Sequence, residues 1–151
     1  MRTKEIDIII LDEIDSTNNE AQRILDHKSN FPLWIIANEQ TSGRGRKNRY
    51  WVSQKGNFMG TFILEHEIEK QYIPNLSFVT SLALKKTIED FNSGITDIFL
   101  KWPNDIIIND SKCAGILIES LRSNNNKEYL AIGIGVNLIK HPLNSSFKAT
   151  N

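Results

Sequence analysis

Two hydrophobic periods share this chain. "IDIIILDEI", "PLWIIANEQ" and "GNFMGTFIL" are β-rich runs, and each predicts a strand, the second started by Pro32. Between the first two, "STNNEAQRILDHK" puts Ala21, Ile24 and Leu25 on one face of a short helix. Thr17 and Glu20 have capping-box spacing, so this helix is expected to start near Ser16 or Thr17. "NLSFVTSLALKKTIEDF" predicts a longer helix, with Leu76, Val79, Ala83, Leu84, Ile88 and Phe91 at helical spacing and "NSG" as its stop. Four strands then crowd the second half: "DIFLKW", "DIIIN", "KCAGILIES" and "EYLAIGIGVNL". The turn clusters "PND", "NDS" and "SNNNK" between them favour consecutive antiparallel pairing. Strands outnumber helices and do not alternate regularly with them. The expected class is therefore α+β, with helices packed against one face of a sheet.

Composition narrows the setting. At 151 residues the chain is one domain, long enough to bury a core. Eighteen basic residues balance eighteen acidic ones, so no general polyanion binding is expected, and DNA is not an expected partner. No apolar run approaches the roughly 18 residues of a membrane span, so no membrane partner is expected either. The start "MRTKEIDIII" does not have the form of a signal peptide. A single cysteine, Cys113, excludes an internal disulfide and fits a reducing compartment, so the expected location is cytoplasmic.

Charge is nonetheless uneven. "TSGRGRKNRYW" places Arg44, Arg46, Lys47 and Arg49 within six positions, on a loop with Gly43 and Gly45. Such a loop suits an anion, although a solvated surface loop or a nucleic-acid patch has the same composition. "DSTNNE" is either a plain helix cap or a cap whose Ser16, Thr17 and Asn18 also face a ligand. "KWPND" ends a strand with Lys101 and follows it with Asn104 and Asp105. Those residues suit a turn, and they also suit a phosphate with its Mg²⁺. Lys112 opens the next strand after a tight turn. In "GIGVN", Gly133 and Gly135 share one strand face, which marks either a bend or a bare strip of backbone against which a flat ligand lies.

Taken together, "STN … EQTSGRGRKNRYW … KWPNDI … KCAGIL.E … GIGVN", from about Asp12 to about Leu138, resembles the catalytic domain of biotin–protein ligases. The resemblance implies a mixed, largely antiparallel sheet related to lipoate ligases and class II synthetase-like folds. It implies biotin and ATP as substrates, a biotinyl-adenylate intermediate, and a lysine of a biotin carboxyl carrier protein as acceptor. By the family pattern Ser16, Thr17, Asn18 and Gln40 meet the biotin head group, Gly43, Arg44, Gly45 and Arg46 close over it, Lys112 meets its carboxylate, and Gly133 and Gly135 lie against its ring. Arg46, Arg49, Trp51, Lys101, Asn104, Asp105 and Asn137 match the nucleotide side. Lys112, Arg46 and Lys101 are the expected catalytic groups, and Asp105 and Asn104 the expected Mg²⁺ ligands. Repressor members of the family carry an N-terminal helix-turn-helix, and members in general continue into a small C-terminal β-barrel. Neither segment is present in 1–151, so an incomplete catalytic domain is expected, with self-association, most simply a homodimer, covering its exposed apolar surface.

The chemistry agrees with the residues. Adenylation brings a carboxylate against a triphosphate, and clustered cations cancel that repulsion. A hinged loop shields the mixed anhydride from water. No Ser–His or Cys–His pair is evident, His27, His66 and His141 fall in expected surface segments, and Cys113 is expected in the core. A lipoate or octanoate transferase of the same fold, and a non-catalytic biotin- or nucleic-acid-binding fragment, are the alternative readings.

Overall fold

A computed structural model of the chain describes residues 6–28, 30–91, 94, 97–142 and 148–150. In chain order it contains β1 (Asp7–Ile14), α1 (Thr17–Ile24), β2 (Leu33–Gln40), β3 (Phe58–Glu65), α2 (Leu76–Phe91), β4 (Ile98–Lys101), β5 (Asp105–Ile108), β6 (Ser111–Arg122) and β7 (Glu128–Val136). The strands form one seven-stranded sheet in the order β1-β2-β3-β7-β6-β5-β4. Of the seven described strands only β1 and β2 pair in parallel, because α1 carries the chain back across the sheet between them. The other pairs are antiparallel, including the expected run β4-β5-β6-β7. The stop signal "NSG" includes residues 92 and 93, which lie outside the described residues.

Strand alternation gives the sheet two distinct faces. Ile35, Thr61, Gly133 and Leu117 fall in register across β2, β3, β7 and β6, and so share one face. On that face α1 packs Ala21 and Leu25 against Leu33, Ile35, Ile63 and Ala131. The opposite face carries Phe58, Val136, Ala114 and Ile106, again in register. There α2 lays Leu84 and Ile88 on a second core with Ile98, Ile108 and Cys113. The class is the expected α+β, but the helices divide between the two faces instead of sharing one.

The buried seam of α2 also differs from its expected face. Val79 and Phe91 are 59% and 89% exposed, whereas Ser81 is buried. Ser77, Ser81, Leu84 and Ile88 recur at helical spacing, so two serines sit on the inward line where the pattern of apolar residues points elsewhere. Ser81 Oγ donates to Ser77 O and Ser77 Oγ to Pro103 O, each at 2.7 Å, which satisfies them beside the turn after β4. At the sheet edge, Ile8 and Ile10 of β1 stay 59% and 68% exposed on the face away from α1.

Candidate functional site

The parallel register of β1 and β2 opens the site. Ile14 stands opposite Gln40, which brings the last side chain of β2 to the start of α1. Gln40 Oε1 accepts from the Thr17 backbone N–H at 2.8 Å and from Thr17 Oγ at 3.1 Å. The helix is thus capped from a neighbouring strand. Ser16 is the N-cap residue, as expected, but its side chain makes no capping bond. Glu20 turns to Arg23 at 3.0 Å, so the capping box does not form.

Around that cap the polar groups are buried and tied to one another. Thr17, Asn18, Gln40 and Thr61 are 4%, 4%, 7% and 0% exposed. Thr61 Oγ lies 2.6 Å from Asn18 Oδ1 and 2.8 Å from Thr17 Oγ, and its single proton serves one of them at a time. Asn18 Nδ2 donates to Glu119 Oε2 at 2.8 Å, and Gln40 Nε2 donates to Ser53 Oγ at 2.9 Å. Glycine at 133 is required by this packing, since a Cβ there would stand 2.3 Å from Asn18 Oδ1.

The basic loop is a folded hairpin. Arg44 bridges Tyr50, Trp51 N–H donates to Gly43 O at 2.9 Å, and Gly45 N–H donates to Arg49 O at 2.8 Å. The left-handed residues at its tip are Lys47 and Asn48, with φ of 55° and 57°. Gly43 supplies room, because a Cβ there would sit 2.4 Å from Trp51 O. The hairpin lays the Trp51 indole over the expected bare strip: a Cβ on Gly135 would come within 2.5 Å of it, and one on Gly115 within 3.1 Å.

A bulge aims Lys112. Ile106 pairs with Ala114 but Ile107 pairs with Lys112, so Cys113 is an extra residue in β6. Without it, Lys112 would share the α2 face with Ala114. With it, Lys112 returns to the cleft, where Nζ lies 2.7 Å from Asp105 Oδ1 and 5.5 Å from the Trp51 ring centroid. Cys113 stays in the core, where burial pushes its thiol pKa up.

One cleft of about 600 Å³ joins these parts. Ser16, Thr17, Asn18, Gln40, Arg44, Gly45, Arg46, Lys112, Gly133 and Gly135 line it, as do Arg49, Trp51, Lys101, Asn104 and Asp105. Two expected members lie outside the lining. Gly43 is buried beneath the hairpin. Asn137 is buried with its Nδ2 donating to Thr150 O at 3.1 Å. Sequence reasoning included Glu119 in the motif "KCAGIL.E" without giving it a role, and it missed Thr61, Ser53 and Lys148. Lys148 enters the cleft because residues 148–150 add a short parallel bridge beside Lys112, with Lys112 N–H donating to Lys148 O at 2.8 Å. His66 is also not on the surface; it is buried at the end of β3, where Nδ1 accepts from Ile68 N–H at 3.1 Å.

Both expected Mg²⁺ donors stand in the cleft wall and already have protein partners, though the Asn104 contact leaves its Oδ1 as an acceptor. Asp105 is paired with Lys112, and Asn104 commits Nδ2 to Ile116 O at 2.8 Å. Among the described residues no group of three or more His, Cys, Asp or Glu could hold a metal ion.

Comparison with known proteins identifies the family. The model of the biotin/lipoate A/B protein ligase family matches residues 11–137. The chain belongs to that family. A biotin–[acetyl-CoA-carboxylase] ligase of Paracoccus denitrificans is 41% identical over 133 residues, 88% of this chain and 55% of that protein. The bifunctional ligase/repressor BirA of Bacillus subtilis is 36% identical, over 89% of this chain and 41% of its own length. The chain therefore spans about half the length of these relatives. Among solved structures, the biotin protein ligase of Leishmania major in complex with biotinyl-5-AMP superposes with a TM-score of 0.81 at 29% identity, covering 97% of this chain and 63% of that one. The Aquifex aeolicus biotin protein ligase in complex with biotin and ATP gives 0.73 at 31%, covering 95% and 58%. No helix among the described residues is long and apolar enough to cross a membrane.

Proposed function

We propose that this chain binds biotin and ATP side by side in its cleft, joins them as biotinyl-adenylate and passes biotin to a lysine of a biotin carboxyl carrier domain. The observation that carries this reading is the continuity of the cleft, in which a buried hydrogen-bonding end opens directly into an end rich in cations. Ser16, Thr17, Asn18 and Gln40 suit the ureido group, which both donates and accepts. Lys112 suits the carboxylate, and Arg46, Arg49 and Lys101 suit the phosphates, with Trp51 on the nucleotide side. A carboxylate oxygen of biotin attacks the α-phosphorus of ATP, and the bond to pyrophosphate breaks. The acceptor amine then attacks the anhydride carbonyl, an amide forms, and AMP leaves as the amine's proton passes to solvent.

This chain's residues work by positioning and by cancelling charge. Lys112, Arg46 and Lys101 are the groups that touch the reacting atoms. Because the indole covers Gly135, a ring lies against that strip only after Trp51 has moved. A lipoate or octanoate transfer through a thioester is disfavoured, since the chain's one thiol is buried. The same reading carries a cytoplasmic setting, no role for DNA or membrane, and self-association, most simply as a homodimer, through apolar surface such as Ile8 and Ile10. The test is incubation with biotin, ATP and a purified carrier domain, followed by the carrier's intact mass. A biotin-sized, ATP-dependent gain supports the reading, and labelling by lipoate alone would replace it.

A further inference from the structure

Asp105, Gly115 and Gly135 form one row across β5, β6 and β7, each opposite the next. Lys112 reaches over that row from the bulge. A Cβ on Gly115 would stand 3.4 Å from its Nζ, so the ammonium lies above the glycine, between Asp105 and Gly135. A ligand with its head group at Asn18 and its chain along Gly133 and Gly135 brings a carboxylate to this ammonium from the Gly135 side. Asp105 holds the other side. Its Oδ1 stands 2.7 Å from Nζ, and the two side chains are only 22% and 18% exposed. That oxygen is buried and makes no aligned hydrogen bond, so the contact is held by charge. Asp105 also has a second cation within reach. Lys101 is its cross-strand neighbour on the same face, and among the described residues Lys101 is in no ion pair.

We propose that Asp105 is an internal counter-ion that competes with the ligand's carboxylate for Lys112. This rests on the biotin reading above. A lysine so poorly solvated needs a counter-ion, and Asp105 supplies it until the ligand brings another. Two carboxylates on one desolvated ammonium repel each other, so the ligand binds by taking Lys112 while Asp105 turns towards Lys101. Once the ligand's carboxylate is joined to phosphorus its own charge is gone, and Lys112 has Asp105 to return to. The competition thus weakens the charged substrate and spares the activated acyl group, which favours the forward step.

The test is calorimetry with biotin and with biotinol, the neutral alcohol that replaces the carboxylate. Asp105→Asn removes the competitor, so it is expected to tighten biotin about tenfold, the size of one charge-assisted contact, and to leave biotinol within about threefold. Thermal unfolding checks that the variant is folded. If it is not, Asp105→Ser, which is also short and uncharged, must show the same gain. A loss for biotin alone would mean that Asp105 holds Lys112 in place for the ligand and does not compete with it. Equal changes for both ligands would mean that the pair serves the fold. Either result would overturn the proposal. A parent protein that binds neither ligand would instead refute the biotin reading and take this inference with it.

Discussion

At one end of the cleft Thr17, Asn18, Gln40 and Thr61 are buried and satisfied by one another, while at the other Arg46, Lys47, Arg49 and Lys101 are exposed on a hairpin and a strand end. Among the described residues none of those four cations is in an ion pair. The two cations nearest the buried end differ: Arg44 is paired with Glu119 and Lys112 with Asp105. One end is thus organised by shape and hydrogen bonds, with its charge balanced. The other supplies uncompensated field, which acts at longer range but is screened by salt.

The largest break in this contrast should come from the glycine strip. Gly133→Ala puts a Cβ 2.3 Å from an Asn18 oxygen that Thr61 and Glu119 hold in place. Overpacking of this kind costs about 1–3 kcal/mol of stability, so biotin affinity should fall on the order of a hundredfold through a displaced Asn18. Thermal unfolding and calorimetry would show both effects. Lys112→Met comes next. It removes a charge-assisted contact contributing about 1.5–3 kcal/mol and leaves Asp105 without its cation, so biotin should bind on the order of tenfold to a hundredfold more weakly. Unchanged affinity would remove Lys112 from the carboxylate end.

Salt separates the two ends more gently. Raising ionic strength from about 0.01 M to about 0.15 M shortens the screening length from about 30 Å to about 8 Å. ATP affinity should therefore fall several-fold while biotin affinity changes little, and equal sensitivity would erase the distinction. The smallest effect lies at the base of α1. Arg23 donates to Asp15 at 2.7 Å and 2.8 Å and holds that carboxyl well below the usual range. A depressed carboxylate stabilises the fold above its unfolded pKa, and that stability is lost as pH falls through the folded value. Urea titrations should show Arg23→Met less stable than the parent at pH 7, with the gap closing as pH drops below about 4. A gap constant with pH would mean that the pair does not contribute through charge.

Much of this was legible because the signals were local. Alternation located the seven strands, and helical spacing with Ser16 and Thr17 located α1. Paired glycines at 133 and 135 marked a face with something close against it, although the structure fills it with Asn18 and Trp51. What escaped depended on register. Nothing local reveals that Gln40 caps α1, because the bond spans 23 residues through the parallel pairing of β1 and β2. Lys112 reaches the cleft only through the bulge at Cys113. Glu119 closes the motif "KCAGIL.E", but nothing local reveals that it binds Arg44 and Asn18, 75 and 101 residues away. The α2 seam was misread because Ser77 and Ser81 satisfy their hydroxyls on backbone carbonyls and so pass as inward residues.

The central claim is that one cleft holds biotin at its hydrogen-bonded end and the nucleotide at its cationic end, close enough to react. Calorimetry of biotin binding with and without a non-hydrolysable ATP analogue tests it most directly. The account predicts that biotin binds alone and binds more tightly with the analogue present, the analogue cancelling exposed cations and closing the hairpin. Biotin affinity unaffected by the nucleotide, or no biotin binding at all, would contradict it.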